Sequence, residues 1–209
     1  MESLIKTIHK HAPTSEILGA ASFQLARYLE LLVHMGHNDF QKAATLEAET
    51  EKRLNQYSGK LNKSYEIAID INLALSLWII EDPLKSLKWI TKITKVKNSD
   101  ARPDLQSFAY MFYAMLLANA QNEAELSRLE TLILKDRLPI ALLPFDQMAI
   151  KFIIKWTVME KEKKNVHLHK LLAEANKPEY AGQVGVDIIN VWGRNKLEHI
   201  SLIVLAVSA

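Results

Sequence analysis

Glu30, His34 and His37 recur at i, i+4 and i+7, a helical spacing that can bring a carboxylate and two imidazoles toward one metal ion. Gly36 is expected to end that helix before His37, and no second ligand set matches it, so no metal site is assigned. His167 and His169 are two residues apart and point to different faces of a helix. Cysteine is absent, which removes thiolate nucleophiles, disulfides and cysteine metal sites together and fits a reducing compartment. There is no G-x-x-x-x-G-K-[ST] phosphate loop, no H-E-x-x-H, no G-x-S-x-G and no dinucleotide glycine pattern, and six glycines leave little material for such loops. Carboxylates are plentiful, yet no spacing singles out an acid and a base. A non-enzymatic role without a cofactor is therefore expected.

Binding chemistry has better candidates. Glu66, Asp70 and Asn72 interrupt an otherwise apolar helix, where polar side chains need solvent or a partner, and a groove supplies both. Tyr110 and Tyr113, beside Phe108 and Phe112, can line a ligand surface with hydroxyls as polar handles, although the same group serves equally as core. Lys85, Lys88, Lys92 and Lys95 share one arc, extended by Lys97. Such a basic face can meet an acidic partner or phosphates, and it also describes the solvated side of an outer helix.

The elements that position these groups are helix pairs. From Tyr65 to Glu81, Ile67, Ile69, Ile71, Leu73, Leu75, Leu77, Trp78, Ile79 and Ile80 leave no wide polar face, which predicts an inner helix covered on several sides. After Asp82-Pro83 a half-exposed outer helix follows to about Lys97, with Leu84, Leu87, Ile90 or Thr91, and Ile93 or Thr94 on its buried side. Trp78 is expected to lie between neighbouring pairs, where truncation to alanine would cost about 3 to 5 kcal/mol. Such a pair cannot bury its apolar surface alone, so further pairs must stack on it.

They are expected over 14–58, 64–97, 104–137, 145–176 and 179–209, with breaks at Gly36, Asp82, near Gln121 and near Lys163, in one elongated domain spanning 1–209. A short amphipathic helix with Leu4, Ile5 and Ile8 precedes them, and Thr14 or Ser15 caps the first full helix. Asn98 to Pro103 is a connector. Val186–Trp192 and Leu197–Val207 are read as the last pair, joined at Gly193. The β-branched run in the second of these also fits a strand. That apolar C-terminal segment is expected to fold back, to join two chains as a homodimer, or to mark a truncation before further repeats.

Asn38-Asp39-Phe40-Gln41-Lys42-Ala43-Ala44 and Asp82-Pro83-Leu84-Lys85-Ser86-Leu87 stand where each pair turns into its second helix. On these residues the chain resembles the tetratricopeptide-like superhelices over about residues 14 to 176. Aligned on the turns, Ala43 meets the family's small position in the second helix and Leu87 replaces it in the next repeat. The resemblance implies an all-α, right-handed α-α superhelix of antiparallel pairs, with repeats of about 40 residues. It also implies a scaffold that binds a peptide or protein on its inner-helix surface.

Composition agrees with a folded, protein-binding chain. Of 209 residues 49% are apolar and 24% charged, and 26 basic against 24 acidic side chains give a net charge of +2, too balanced to favour nucleic acid or membranes. Met1 to Lys6 lacks the long apolar core of an export signal, and no apolar stretch is long enough to span a bilayer, so a cytoplasmic protein is expected. Two other readings share these features: a small-molecule or peptide sensor domain of a regulator, and an RNA-binding helical array using the lysine face.

Overall fold

The computed structural model describes residues 16–95 and 102–198. Among these residues the chain is all-α, with ten α-helices, one short 3-10 helix and no strand. The short N-terminal helix, the Thr14 or Ser15 cap, Lys97, most of the 98–103 connector and the apolar stretch beyond Glu198 lie outside the described residues. Contacts gather the chain into two compact units divided between Leu105 and Gln106.

The first unit holds α1 (Glu16–Gly36), α2 (Phe40–Thr45), α3 (Glu47–Gln56), α4 (Lys63–Ile79) and α5 (Pro83–Thr94). Asn62 starts α4 by accepting the Ser64 and Tyr65 amides, which fills two of the orphan donors at the helix end. Every residue of α4 from Ile67 to Leu77 except Asn72 is buried, and the helix packs against α1, α2 and α5. An all-round apolar helix must be enclosed in this way.

The outer helix α5 is rotated from its expected face. Ser86, Trp89, Ile90 and Ile93 point inward, Leu84 is 77% exposed and Leu87 is half-buried. Ser86 is small, and its hydroxyl donates to the Ala74 carbonyl at 2.7 Å, so α5 lies close on α4 without an unpaired polar group. Trp89 then turns inward, fully buried, while Trp78 is only half-buried. The buried tryptophan of this pair is therefore Trp89. The first outer helix is split at Leu46, which the apolar pattern did not indicate. There the Thr45 hydroxyl donates to the Lys42 carbonyl at 2.7 Å and the Leu46 amide to Ala43, which interrupts the helix between α2 and α3.

One turn that leads into a capped helix recurs three times among the described residues; Asp136, at φ 49°, repeats its left-handed residue, with the Arg137 amide donating to Leu132 at 2.9 Å. Asn38, Glu81 and Gln121 take positive φ values of 57°, 65° and 53°. The next amide reaches back to His34, Leu77 or Leu117 at 2.7, 2.8 or 2.9 Å. That next residue, Asp39, Asp82 or Asn122, caps the following helix by accepting the amide three residues on. The turns are spaced by about 40 residues, as a repeat of two helices requires. Gly36 is not the left-handed residue; it closes α1, and Asn38 makes the turn. Counted from the caps, the small positions are Ala43 and Ser86, both fully buried, so Leu87 is not the equivalent of Ala43. At the fourth junction, Glu160 is extended and makes no side-chain cap.

The second unit holds most of α6 (Pro103–Asn119), then α7 (Glu123–Leu134), α8 (Pro144–Thr157), α9 (Lys161–Ala175), a 3-10 turn (Pro178–Tyr180) and α10 (Val184–Glu198). α6 is buried from Gln106 to Phe112 and from Ala114 to Ala118. Ser107 within it donates to Asp146 at 2.6 Å and accepts the Leu143 amide at 2.8 Å, which fastens the start of α8 to α6. Gly185 lets α10 approach this pair: a Cβ there would stand 2.9 Å from Asp146 Oδ1 and 3.2 Å from the Phe145 ring. Gly193 lies inside α10 and is not a joint. Its missing side chain admits Leu172, whose Cδ2 lies 2.8 Å from where a Cβ would be. Trp192 is buried beside it, donates to Asn119 Oδ1 at 3.0 Å and meets Trp156 edge to face at 5.3 Å.

Two stability outcomes follow from this packing. Trp89→Ala costs about 3 to 5 kcal/mol in urea unfolding, and Trp78→Ala costs less than half as much; equal losses would contradict the rotation of α5. Glu81→Gly raises stability by about 0.5 to 1 kcal/mol, because glycine takes the left-handed conformation without the strain of a Cβ. Thermal unfolding of that variant, showing a higher or a lower midpoint, decides the second.

Candidate functional site

The predicted site residues fall in both units. In the first, Glu66 is half-buried and bonds to Lys63 at 2.7 Å, one turn back on α4. Asn72 turns onto its own helix and donates to the Ala68 carbonyl at 2.7 Å. Asp70 is 5% exposed, and its Oδ1 has no hydrogen-bond partner among the described residues. Burial pushes its carboxyl well above the ordinary carboxylate range, with the Lys92 charge opposing and the Glu66 charge adding to the rise. In the second unit Tyr110 is buried in the face of α6, while half-buried Tyr113 donates to Glu125 at 3.4 Å. Desolvation raises both phenols, and Glu125 raises Tyr113 further. Phe108 and Phe112 stack on each other at 6.0 Å within the core.

The basic face is a partly exposed seam between α5 and α3. Lys85 lies 3.3 Å from Glu47 and 3.5 Å from Asp82, Lys88 lies 2.8 Å from Glu51, and Lys92 lies 3.4 Å from Glu51. Lys92 also sits 3.7 Å above the Trp89 ring, whose Nε1 donates to Glu47 at 3.0 Å. The Lys88 hydrogen bond, followed by the charges of Lys92 and Lys88, holds the Glu51 carboxyl below its ordinary range against the effect of burial. Lys95 is exposed at the end of α5. Three lysines of the arc thus face α3, a pairing between distant segments that the sequence analysis did not indicate. On the other side of α3, Glu49 bonds buried Arg27 at 2.6 Å, and Glu30 lies 3.5 Å from the same guanidinium. Glu30 is therefore an ion-pair partner, and His37 lies past the end of α1. Among the described residues no three histidine, aspartate or glutamate side chains group as metal ligands.

A groove the sequence did not single out lies between α7 and α8. It encloses about 560 Å³ and is open to solvent. Leu126, Ile133 and Ile154 form its apolar part, and Leu134 and Val158 line it at 73% and 72% exposure. Its two sides carry opposite charge. Glu123 and Glu130 come from α7, and Lys151 and Lys155 from α8, all four exposed and none in an ion pair among the described residues. The helical periods explain this: Leu126 and Leu129 turn α7 inward, which leaves 123, 127, 130 and 134 on one outward stripe. In α8 the buried Ile150, Ile153 and Ile154 place Lys151, Lys155 and Val158 outward. The ordinary expectation that exposed positions are simply solvated hid the groove, because its shape comes from two helices separated by the 135–143 loop.

No family model, curated protein or solved structure matches the chain. No helix among the described residues is long and apolar enough to cross a membrane.

Asp70 offers a direct check of the first unit. A buried carboxyl whose pKa is raised on folding binds its proton more tightly in the folded chain, so its contribution is fully present below the ordinary value near 3.8 and is lost as pH rises through the folded value. Asp70→Asn removes this loss. At pH 8 the variant should be the more stable by about 1 to 3 kcal/mol, the cost of a buried group left unpaired. Below pH 3.8 the two should converge. Urea unfolding of both proteins from pH 3 to 8 measures the difference, and a variant less stable at pH 8 would show that the ionised carboxylate is used.

Proposed function

We propose that this chain is a non-enzymatic interaction module that docks a helical segment of a protein on its α7–α8 face. The observation that carries the reading is the groove itself: an apolar strip in open water, flanked by carboxylates on one helix and ammonium groups on the other. Apolar surface of this kind costs free energy while exposed and is released from water by a partner. A bound amphipathic helix would place leucine-like anchors against Leu134, Ile133 and Val158, with basic residues toward α7 and acidic ones toward α8.

The recurrent turn with its carboxylate or amide cap supports a tetratricopeptide-like arrangement of helix pairs. Docking on the inner-helix residues has less support, since Glu66 and Asn72 are engaged within α4 and Asp70 and Tyr110 are buried. An open groove fits a helix better than the enclosed cavity a small-molecule sensor needs. Carboxylates of α3 and of the Asp82 cap neutralise Lys85, Lys88 and Lys92, which removes most of the charge an RNA-binding face would use.

The test is selection of displayed amphipathic helices on the full chain. Enriched helices should carry basic and acidic flanks, and their affinity should fall at least tenfold, about 1.4 kcal/mol, on Leu134→Asp. Because Leu134 is largely exposed, this change leaves the fold intact. Helices that bind the variant as well as the parent, or no enrichment at all, would overturn the reading.

A further inference from the structure

The α7–α8 face has a property that an arbitrary docking surface lacks: its charges are arranged to complement themselves. α7 supplies only carboxylates to the groove and α8 only ammonium groups, and the apolar strip lies between them. Turn such a surface over about a two-fold axis through the strip, and its acidic side lies opposite the basic side of the copy. Every contact then occurs twice, which is the condition for a closed two-fold interface.

We infer that the partner docked on this face is a second copy of the chain, paired through α7 and α8. The inference rests on the docking reading above and names its occupant. In the pair, Glu123 and Glu130 of each copy face Lys151 and Lys155 of the other, and Leu134 and Val158 leave water. None of the four charged groups has an ion pair to give up, so the pairing breaks none among the described residues. The packing of Leu126, Leu129 and Ile150 stays as it is, so each copy docks without refolding. Two adjacent helices of 12 and 14 residues span about 18 and 21 Å. That is less area than a standard interface buries per partner, so the pairing is a reversible one. The sequence allowed dimerisation through the apolar C-terminal segment, which lies outside the described residues; the face proposed here is a different one.

Molecular mass of the full chain in solution, followed through a dilution series, tests the pairing together with two charge-reversed variants. Lys151→Glu with Lys155→Glu makes both sides acidic, and Glu123→Lys with Glu130→Lys makes both basic. All four positions are exposed, and unchanged thermal midpoints would confirm that the variants fold. Each variant alone should dissociate at least tenfold more readily than the parent. Mixed together they should form a one-to-one heterodimer, and all four changes in one chain should restore the homodimer. A dimer that ignores both reversals uses another surface and overturns the inference. So does a chain that stays monomeric at the highest concentration. If that monomer still selects helices through Leu134, only self-pairing falls; if it selects none, the docking reading falls with it.

Discussion

Two helices without a wide polar face set the terms for everything around them. α4 and α6 are buried along nearly their whole length, so each must be enclosed from several directions at once. Each buried apolar side chain contributes on the order of 1.5 to 3 kcal/mol, which no single neighbouring helix could collect. Three helices therefore close on α4, and α6 touches α7, α8 and α10 through Tyr113, Ser107 and Asn119. Serine hydroxyls around α4 are hydrogen-bonded, Ser76 to the Asn72 carbonyl within the helix and Ser86 of α5 to the Ala74 carbonyl. Asp70 is a departure from this pattern, a carboxyl whose pKa desolvation raises well above the ordinary carboxylate range.

Charge completes what apolar burial leaves undone. Only Thr50 and Leu54 of α3 are buried, too little to hold a helix of ten residues by packing alone. Its carboxylates meet Arg27 on one side and Lys85, Lys88, Lys92 and Trp89 on the other. Exposed ion pairs are individually weak, but several share Glu47 and Glu51 around a buried indole, where screening by water is reduced. The lysine arc is thus part of the fold. The charges at the α7–α8 groove differ in having no such partners among the described residues.

That difference separates structure from function here. A side chain satisfied within its own unit has little left to offer, whereas exposed leucine and valine beside uncommitted charges retain both an apolar and an electrostatic term for a partner. Opposite charge on neighbouring helices also disfavours wrong docking, because a surface placed in the reversed sense would set like charges together.

Helical periodicity was enough to establish the all-α class, the enclosure of α4, the half-exposed character of α5 and the positions of most turns, because each depends on residues within a few turns of one another. Asp82 and Pro83 announce a helix start in the sequence as clearly as in the structure. Asn38, Glu81 and Gln121 do not announce their left-handed geometry, since no glycine marks it. The inward turn of Trp89 depends on the close approach that Ser86 permits, and the engagement of the lysines depends on α3 lying beside them. The groove belongs to α7 and α8 jointly. Such features arise between segments distant in the chain, so no local pattern records them, and only tertiary packing decided which polar residues were consumed and which were left exposed.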